Sequence, residues 1–305
     1  MKKIAIIMAA LAMLLSVTSC GTVQAPEQSP AQNEVEEGEP PAPDLPEELG
    51  ENVHAEGKDI PSIEETVLLS GEGVTVTATE YIRDAISGDG IILSLRNTTD
   101  KDVGVSGKYL IVNDFILAKH ISIVVPANDS IEEIIYFHSD RLEAAGIDTI
   151  GKVALQLELF HPKHFDKYYI GNLVEIQTSK IDEIDVIAEN AGDEIYNKNG
   201  IRIFGRYMKE GPWGRCVMVY IDNNTDNTIL FSNRDLIVNG TPVESWLYTE
   251  VLPGKKALDC IQLSDVVLKD TNIKEVKSVS TIFTGRNPET LNGMFESKRY
   301  EFSTK

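Results

Sequence analysis

The sequence predicts an all-β protein: two β-sandwich domains in tandem, each with one short helix, behind a signal peptide and a disordered linker. Three observations predict it. Apolar residues alternate with others at the period of two that a half-buried strand requires, as at Ile91, Leu93 and Leu95 and again at Val217, Val219 and Ile221. Turn signals rich in Asn and Asp break the chain at short intervals, above all "NTTD" at 97–100 and "NNTD" at 223–226. One pattern is also written twice. "LSLRNTTDKDVGVSGKYLIVND" at 93–114 returns as "VYIDNNTDNTILFSNRDLIVNG" at 219–240, displaced by 126 positions without a gap.

The first element is a targeting segment, residues 1–19. Lys2 and Lys3 give a positive start, Ile4 to Leu15 are apolar throughout, and Val17-Thr18-Ser19-Cys20 follow. The apolar run is shorter than the roughly 20 residues a membrane span needs. Its end resembles the lipobox of bacterial lipoproteins. That resemblance implies acylation of Cys20 (palmitate is the typical chain) and a lipid-anchored protein on the outer face of the cell membrane. Two or more acyl chains give stable anchoring, at about 0.8 kcal/mol per buried CH₂.

Residues 20–60 form the linker. Over 21–60 stand six of the thirteen prolines and eleven acidic residues against one lysine, with no aromatic residue. Such a stretch buries too little apolar surface to offset its ordering entropy, and proline with like-charge repulsion extends it. Forty residues reach at most about 130 Å. The expectation is a tether that lifts the folded part off the membrane.

Residues 61–180 and 181–305 are expected to be the two sandwiches. The match extends on both sides of the opening pair: "GVTVTA" at 73–78 answers "GIRIFG" at 200–205, Pro126 answers Pro253, and "VEIQTS" at 174–179 answers "YEFSTK" at 300–305. Asn113-Asp114 and Asn239-Gly240 end apolar runs and read as hairpin turns, because these residues accept positive φ. The helix is expected at "SDRLEAAGI", with Ser139 capping, Leu142 facing inward and Gly146 closing. Asp265, Leu268 and Asn272 stand at the same three posts in the second copy.

The pattern "IYNKNGI" at 195–201, "NNTD", "VNG" at 238–240 and "PGKKA" at 253–257 resembles a repeat module of predicted lipoproteins from Gram-positive gut bacteria. The first copy departs from it, with "VNDF" and "PANDS". The resemblance covers about 240 residues and implies a small immunoglobulin-like sandwich. It carries over no catalytic residue.

Where shared letters build the fold, specific chemistry is sought where the copies differ. "HPKHFDKYY" at 161–169 holds His161, His164 and Asp166, weak candidates for a divalent metal with His138 as a distant fourth ligand; the same spacing arises in a polar hairpin loop. Trp213 and Trp246 are candidate ligand contacts, but the favoured expectation is that each folds back over the end of its own sandwich. Asp222, Asn224 and Asp226 alternate like a calcium loop, but Asn227 and Asn233 stand where glycine and a bidentate glutamate belong, so the stretch is a turn. Cys216 and Cys260 are placed on adjacent strands, matched to Gly90 and Glu133, pointing outward. Both a disulfide and two thiols remain open for them.

The chain carries a formal charge of −20; the tether accounts for −10 and Lys2 with Lys3 for +2, which leaves −12 for residues 61–305. That balance disfavours nucleic acid and anionic lipid surfaces as partners. No catalytic signature such as Gly-x-Ser-x-Gly, a phosphate loop or His-Glu-x-x-His is present. The expected function is therefore a non-enzymatic lipoprotein without cofactor. It would be held to the membrane by its lipid, and its two modules would serve as spacers or bind an extracellular protein or cell-wall component. The alternatives are a metal-dependent envelope accessory enzyme and a sensor or inhibitor lipoprotein.

Overall fold

The computed structural model describes residues 60–117, 121–184, 192–211 and 214–304. The signal segment, Cys20, all but the last residue of the tether, His120 and Trp213 lie outside the described residues. In chain order the first copy contains β1 (Thr66–Gly71), β2 (Val74–Asp84), β3 (Gly88–Asn97), β4 (Val103–Val112), β5 (Phe115–Leu117), β6 (Ser122–Val125), β7 (Ser130–Tyr136), α1 (Ser139–Ala144), β8 (Lys152–Phe160) and β9 (Lys167–Gln177). The second repeats it: β10 (Asp193–Lys198), β11 (Ile201–Gly211), β12 (Gly214–Asn223), β13 (Ile229–Val238), β14 (Thr241–Pro242), β15 (Tyr248–Val251), β16 (Lys255–Gln262), α2 (Asp265–Asp270), β17 (Val279–Arg286), β18 (Gly293–Glu296) and β19 (Tyr300–Phe302). The protein is all-β and built of sandwiches, and among the described residues its α-helices are two of six residues each.

Each copy folds one sheet over another. In the first, β1-β2-β3-β7 faces β4, β8 and β9 with β5 and β6 beside β4; in the second, β10-β11-β12-β16 faces β13 and β17 with their short neighbours. The alternating residues are the inward ones: Val74, Val76, Ala78, Ile91, Leu93 and Leu95 enter one core, and Ile201, Ile203, Val217, Val219 and Ile221 the other.

The "N-x-T-D" turns are more than bends. Asn97 and Asn223 are 1% and 0% exposed. Asn97 Nδ2 donates to the carbonyls of Lys101, Val125 and Pro126. Asn223 Nδ2 donates to those of Asn227, Val251 and Leu252. Their Oδ1 atoms accept from the backbone N–H of Thr99 and Thr225. One side chain thus satisfies three carbonyls that the fold would otherwise bury without partners. The hairpin turns also take the expected conformation, with φ of 46° and 70° at Asn113 and Asp114 and of 51° and 80° at Asn239 and Gly240.

Two expectations need correction. The N-caps are His138, without a side-chain cap, and Ser264, whose hydroxyl accepts from Val267 N–H; Ser139 and Asp265 are the first helical residues. Leu142 and Leu268 are buried, and Gly146 and Asn272 take positive φ, as expected. The proline match is also out by one. The carbonyls gathered by the two asparagines pair Pro126 with Leu252, and Met218 stands opposite Cys260 where Ile92 stands opposite Ile134. The counterpart of Cys260 is Ile134, not Glu133.

The copies are not separate bodies. β16 pairs with β5 in parallel, Lys256 against Phe115 and Ala257 against Ile116. This joins the facing sheets of both copies into one nine-stranded sheet, β10-β11-β12-β16-β5-β4-β8-β9 with β6 beside β4. Met218, Tyr220 and Leu258, which face away from their own core, enter the first core instead; Tyr109, Ile111, Ile116 and Ala154 enter the second. The Tyr220 ring meets Phe115 edge-on at 5.7 Å and Phe204 at 5.9 Å. Fully burying a side chain of this size contributes about 1.5–3 kcal/mol, so these residues hold the copies together by several kcal/mol.

Candidate functional site

The seam between the copies is built from positions at which they differ. Across β11, β12 and β16 runs the row Phe204–Tyr220–Leu258; the same row across β2, β3 and β7 reads Thr77–Ser94–Glu132. An apolar row appears only where a second sheet covers it. Asp114, the counterpart of Gly240, accepts from Lys255 Nζ at 2.5 Å and lies 2.9 Å from Lys152 Nζ. Its carbonyl accepts from Lys256 N–H at 2.9 Å. Burial pushes the Asp114 carboxyl up, but the two ammonium groups outweigh burial and hold it below the ordinary carboxylate value. The residue keeps φ at +70°, where glycine stands in the other copy, because its carboxylate ties the copies together. The departure from "VNG" to "VND" is thereby explained.

Two further contacts cross the seam. Burial, and then the Glu250 carboxylate of the second copy, push the Tyr109 phenol up. Arg141 on α1 lies within electrostatic reach of Asp259 and Cys260. The edges that correspond to the joined ones are ill suited to pairing with another sheet. β7 presents exposed Glu132 and Glu133, and β14 carries Pro242, which donates no ladder hydrogen bond.

His161, His164 and Asp166 lie on the hairpin between β8 and β9. The peptide groups close a turn there, His161 N–H donating to the Asp166 carbonyl and Phe165 N–H to the His161 carbonyl. The His161 ring stacks on Tyr168 at 4.5 Å. His138 heads α1 instead. Among the described residues no three His, Cys, Asp or Glu side chains come together to hold a metal ion.

Cys216 and Cys260 are thiols in this structure and buried, at 0% and 9% exposure. They do point out of their own sandwich, on the face of Met218 and Leu258, but the first copy covers that face. The outward orientation therefore holds, and both side chains are nonetheless buried. Because Cys260 stands opposite Met218, the cysteines are diagonal neighbours. Diagonal residues are roughly 7–8 Å apart, beyond the usual reach of about 7 Å between bridged Cα atoms. The interaction between the two thiols lowers Cys216 and raises Cys260, with burial adding to the rise.

Trp246 is 68% exposed, and Tyr248 beside it, which the sequence reading passed over, is 73% exposed. The segment that carries them is pinned. Asn233, buried, donates to the Ser245 carbonyl and accepts from Leu247 N–H, while Ser245 Oγ donates to the Gln262 carbonyl. Leu247 between them is 1% exposed. Of Trp246's two readings, packing over the sandwich end is not the one found. Asp114, Tyr248 and Glu250 were all missed; the substitution of Asp114 for Gly240 was the visible signal for the first. Among the described residues no helix is long and apolar enough to cross a membrane.

No family model matches the sequence, and no curated protein matches it. Among solved structures the chain is similar to red sea bream transglutaminase, at 10% identity and a TM-score of 0.21, over 80% of this chain and 31% of that one. The chain therefore spans about a third of the transglutaminase's length. It is also similar to a protein of unknown function from Porphyromonas gingivalis W83, at 13% identity and a TM-score of 0.20, over 80% and 98% of the two chains. Likenesses this slight carry no argument about activity.

Proposed function

We propose that the chain is a non-catalytic, lipid-anchored binding protein of the bacterial cell surface, related to the tandem lipoprotein module that its repeats resemble. Acyl chains on Cys20 hold it to the outer face of the membrane, residues 20–60 lift it away, and the double sandwich meets its partner. The observation that carries this reading is the pair of exposed aromatic rings, Trp246 and Tyr248, on a segment pinned by buried Asn233. Large rings on a rigid support lose little conformational entropy on binding, which favours their use as contact residues. The shared sheet supports the same reading, because it fixes both copies as one platform rather than two loosely tied beads.

The test is metabolic labelling with radioactive palmitate and cell fractionation. The native chain is expected to take up label and sediment with membranes, and Cys20→Ala to lose both properties. Recovery of the native chain unlabelled in the culture fluid contradicts the reading.

A further inference from the structure

The geometry points to a binding site for a soft monovalent metal ion, copper(I), held by Cys216, Cys260, Met218 and Met208 where the second copy's sheet meets the first copy. Beyond residue 60 the sulfur-bearing side chains are these four and Met294. The ladder brings the four together. Met208 stands opposite Cys216, and Met218 opposite Cys260. Cys216 and Met218 lie two residues apart on β12, so the two pairs form adjacent rows on one face of β11, β12 and β16. That face is turned to the first copy: Met218 and Met208 pack into the first core, while Val217 and Ile261 pack into the second. The corresponding positions of the first copy are Ile82, Gly90, Ile92 and Ile134, which carry no sulfur. The sandwich itself therefore does not require the cluster.

The spacing suits a bridging ion. A diagonal pair is too wide for the bond of about 2 Å between disulfide sulfurs. Two metal–sulfur bonds of about 2.3 Å let the sulfurs stand up to about 4.6 Å apart, which closes the diagonal between Cys216 and Cys260. Met218 faces Cys260 and neighbours Cys216 on its own strand, and Met208 faces Cys216. Their long, unbranched thioethers adapt to reach the same ion. The donors select that ion. Thiolate and thioether sulfur prefer copper(I), whereas zinc takes thiolate, imidazole and carboxylate, and among the described residues no third group of that kind joins the cysteines. Binding releases the two thiol protons and changes no oxidation state. Two thiolates around one copper(I) leave a single negative charge. Arg206 stands in the row of Met218 and Cys260, and Arg141 of the first copy lies within electrostatic reach of Cys260. Met208 is half-buried and, like Cys216, lies near the β11–β12 hairpin, which gives the ion its way in.

Titration of the reduced full chain in detergent micelles with copper(I), presented as its coloured bicinchoninate complex, tests this. The chain is expected to withdraw one copper(I) ion, and X-ray absorption at the copper edge to find sulfur neighbours alone. Cys216→Ala and Cys260→Ala are each expected to weaken binding by about a hundredfold or more. Met208→Leu and Met218→Leu keep the side-chain volume and the fold, and together are expected to weaken it by about tenfold. No withdrawal of copper, undiminished binding by Cys260→Ala or by the double Met variant, nitrogen or oxygen neighbours only, or equal affinity for zinc overturns the inference. Cys20→Ala is expected to bind copper(I) as the native chain does; loss of the ion there would place it at the anchor cysteine and overturn the inference too. The outcome is independent of acylation, so an unacylated secreted chain that binds copper sinks the proposed function and leaves this site standing.

Discussion

Replacing Asp114 separates what the seam contributes from what each sandwich contributes. Its carboxylate meets Lys255 and Lys152 at 2.5 and 2.9 Å, and the three side chains are 33%, 20% and 24% exposed. Hydrogen bonds to charged groups contribute about 1.5–3 kcal/mol when buried, and exposed ion pairs at most about 1 kcal/mol. For this half-buried pair of contacts, Asp114→Asn is expected to cost about 2 kcal/mol. Asp114→Gly loses the same contacts but relieves a side chain held at φ of +70°, which recovers about 1 kcal/mol. In a folded body of this size 1 kcal/mol moves Tm by about 2–4 °C. Thermal melts followed by circular dichroism at neutral pH are thus expected to show losses of about 6 °C for Asp114→Asn and about 3 °C for Asp114→Gly. Gly240→Asp puts a side chain at φ of +80° away from the seam, and is expected to lower Tm. An Asp114→Asn protein that melts within 1 °C of native, or an Asp114→Gly protein less stable than Asp114→Asn, refutes the assigned role.

Acid probes the same contact. The folded carboxyl lies below its ordinary value of about 3.9, so the unfolded chain takes up the proton first as pH falls. The stability from Asp114 is therefore whole above that ordinary value and is lost as pH drops through the depressed one; the Tm gap between native and Asp114→Asn proteins is expected to be full at pH 6 and to shrink only below about pH 4. Asn223→Ala strands three carbonyls and is expected to cost about 3 kcal/mol, measured by urea denaturation; a loss under 1 kcal/mol would contradict the clasp. Cys216 and Cys260 are expected to ignore a thiol reagent in the native protein and to react together once guanidinium unfolds it. A protein that yields neither thiol even when unfolded without reductant would show a bridge.

The repeated elements were legible because turns and strands are written locally. Alternation at Ile91, Leu93 and Leu95, and positive-φ residues at Asn113 and Asn239, mean the same in any surroundings. The helix posts were legible too, although the cap fell one residue earlier because Ser264, not Asp265, reaches the free N–H of Val267. The seam was not legible. Tyr220 and Leu258 sit on the face that a lone sandwich turns to water, and no local pattern says that another sheet covers them. For the same reason the outward orientation of Cys216 and Cys260 was legible and their burial was not. What the sequence did offer was the contrast between copies, in which Ser94, Glu132 and Gly240 are replaced by or replace Tyr220, Leu258 and Asp114. Exposed Tyr248 gave no signal, since a strand tyrosine is more often half buried.

The junction of the copies through one sheet is tested most directly at a single amide. Lys256 N–H donates to the Asp114 carbonyl across the seam, and nothing within either copy provides that bond. Hydrogen exchange followed by NMR is expected to show Lys256 protected to a degree comparable with Val219 in the middle of β12. Exchange of Lys256 at the rate of an unstructured peptide, while Val219 stays protected, would mean that two intact sandwiches move independently and that no common sheet exists.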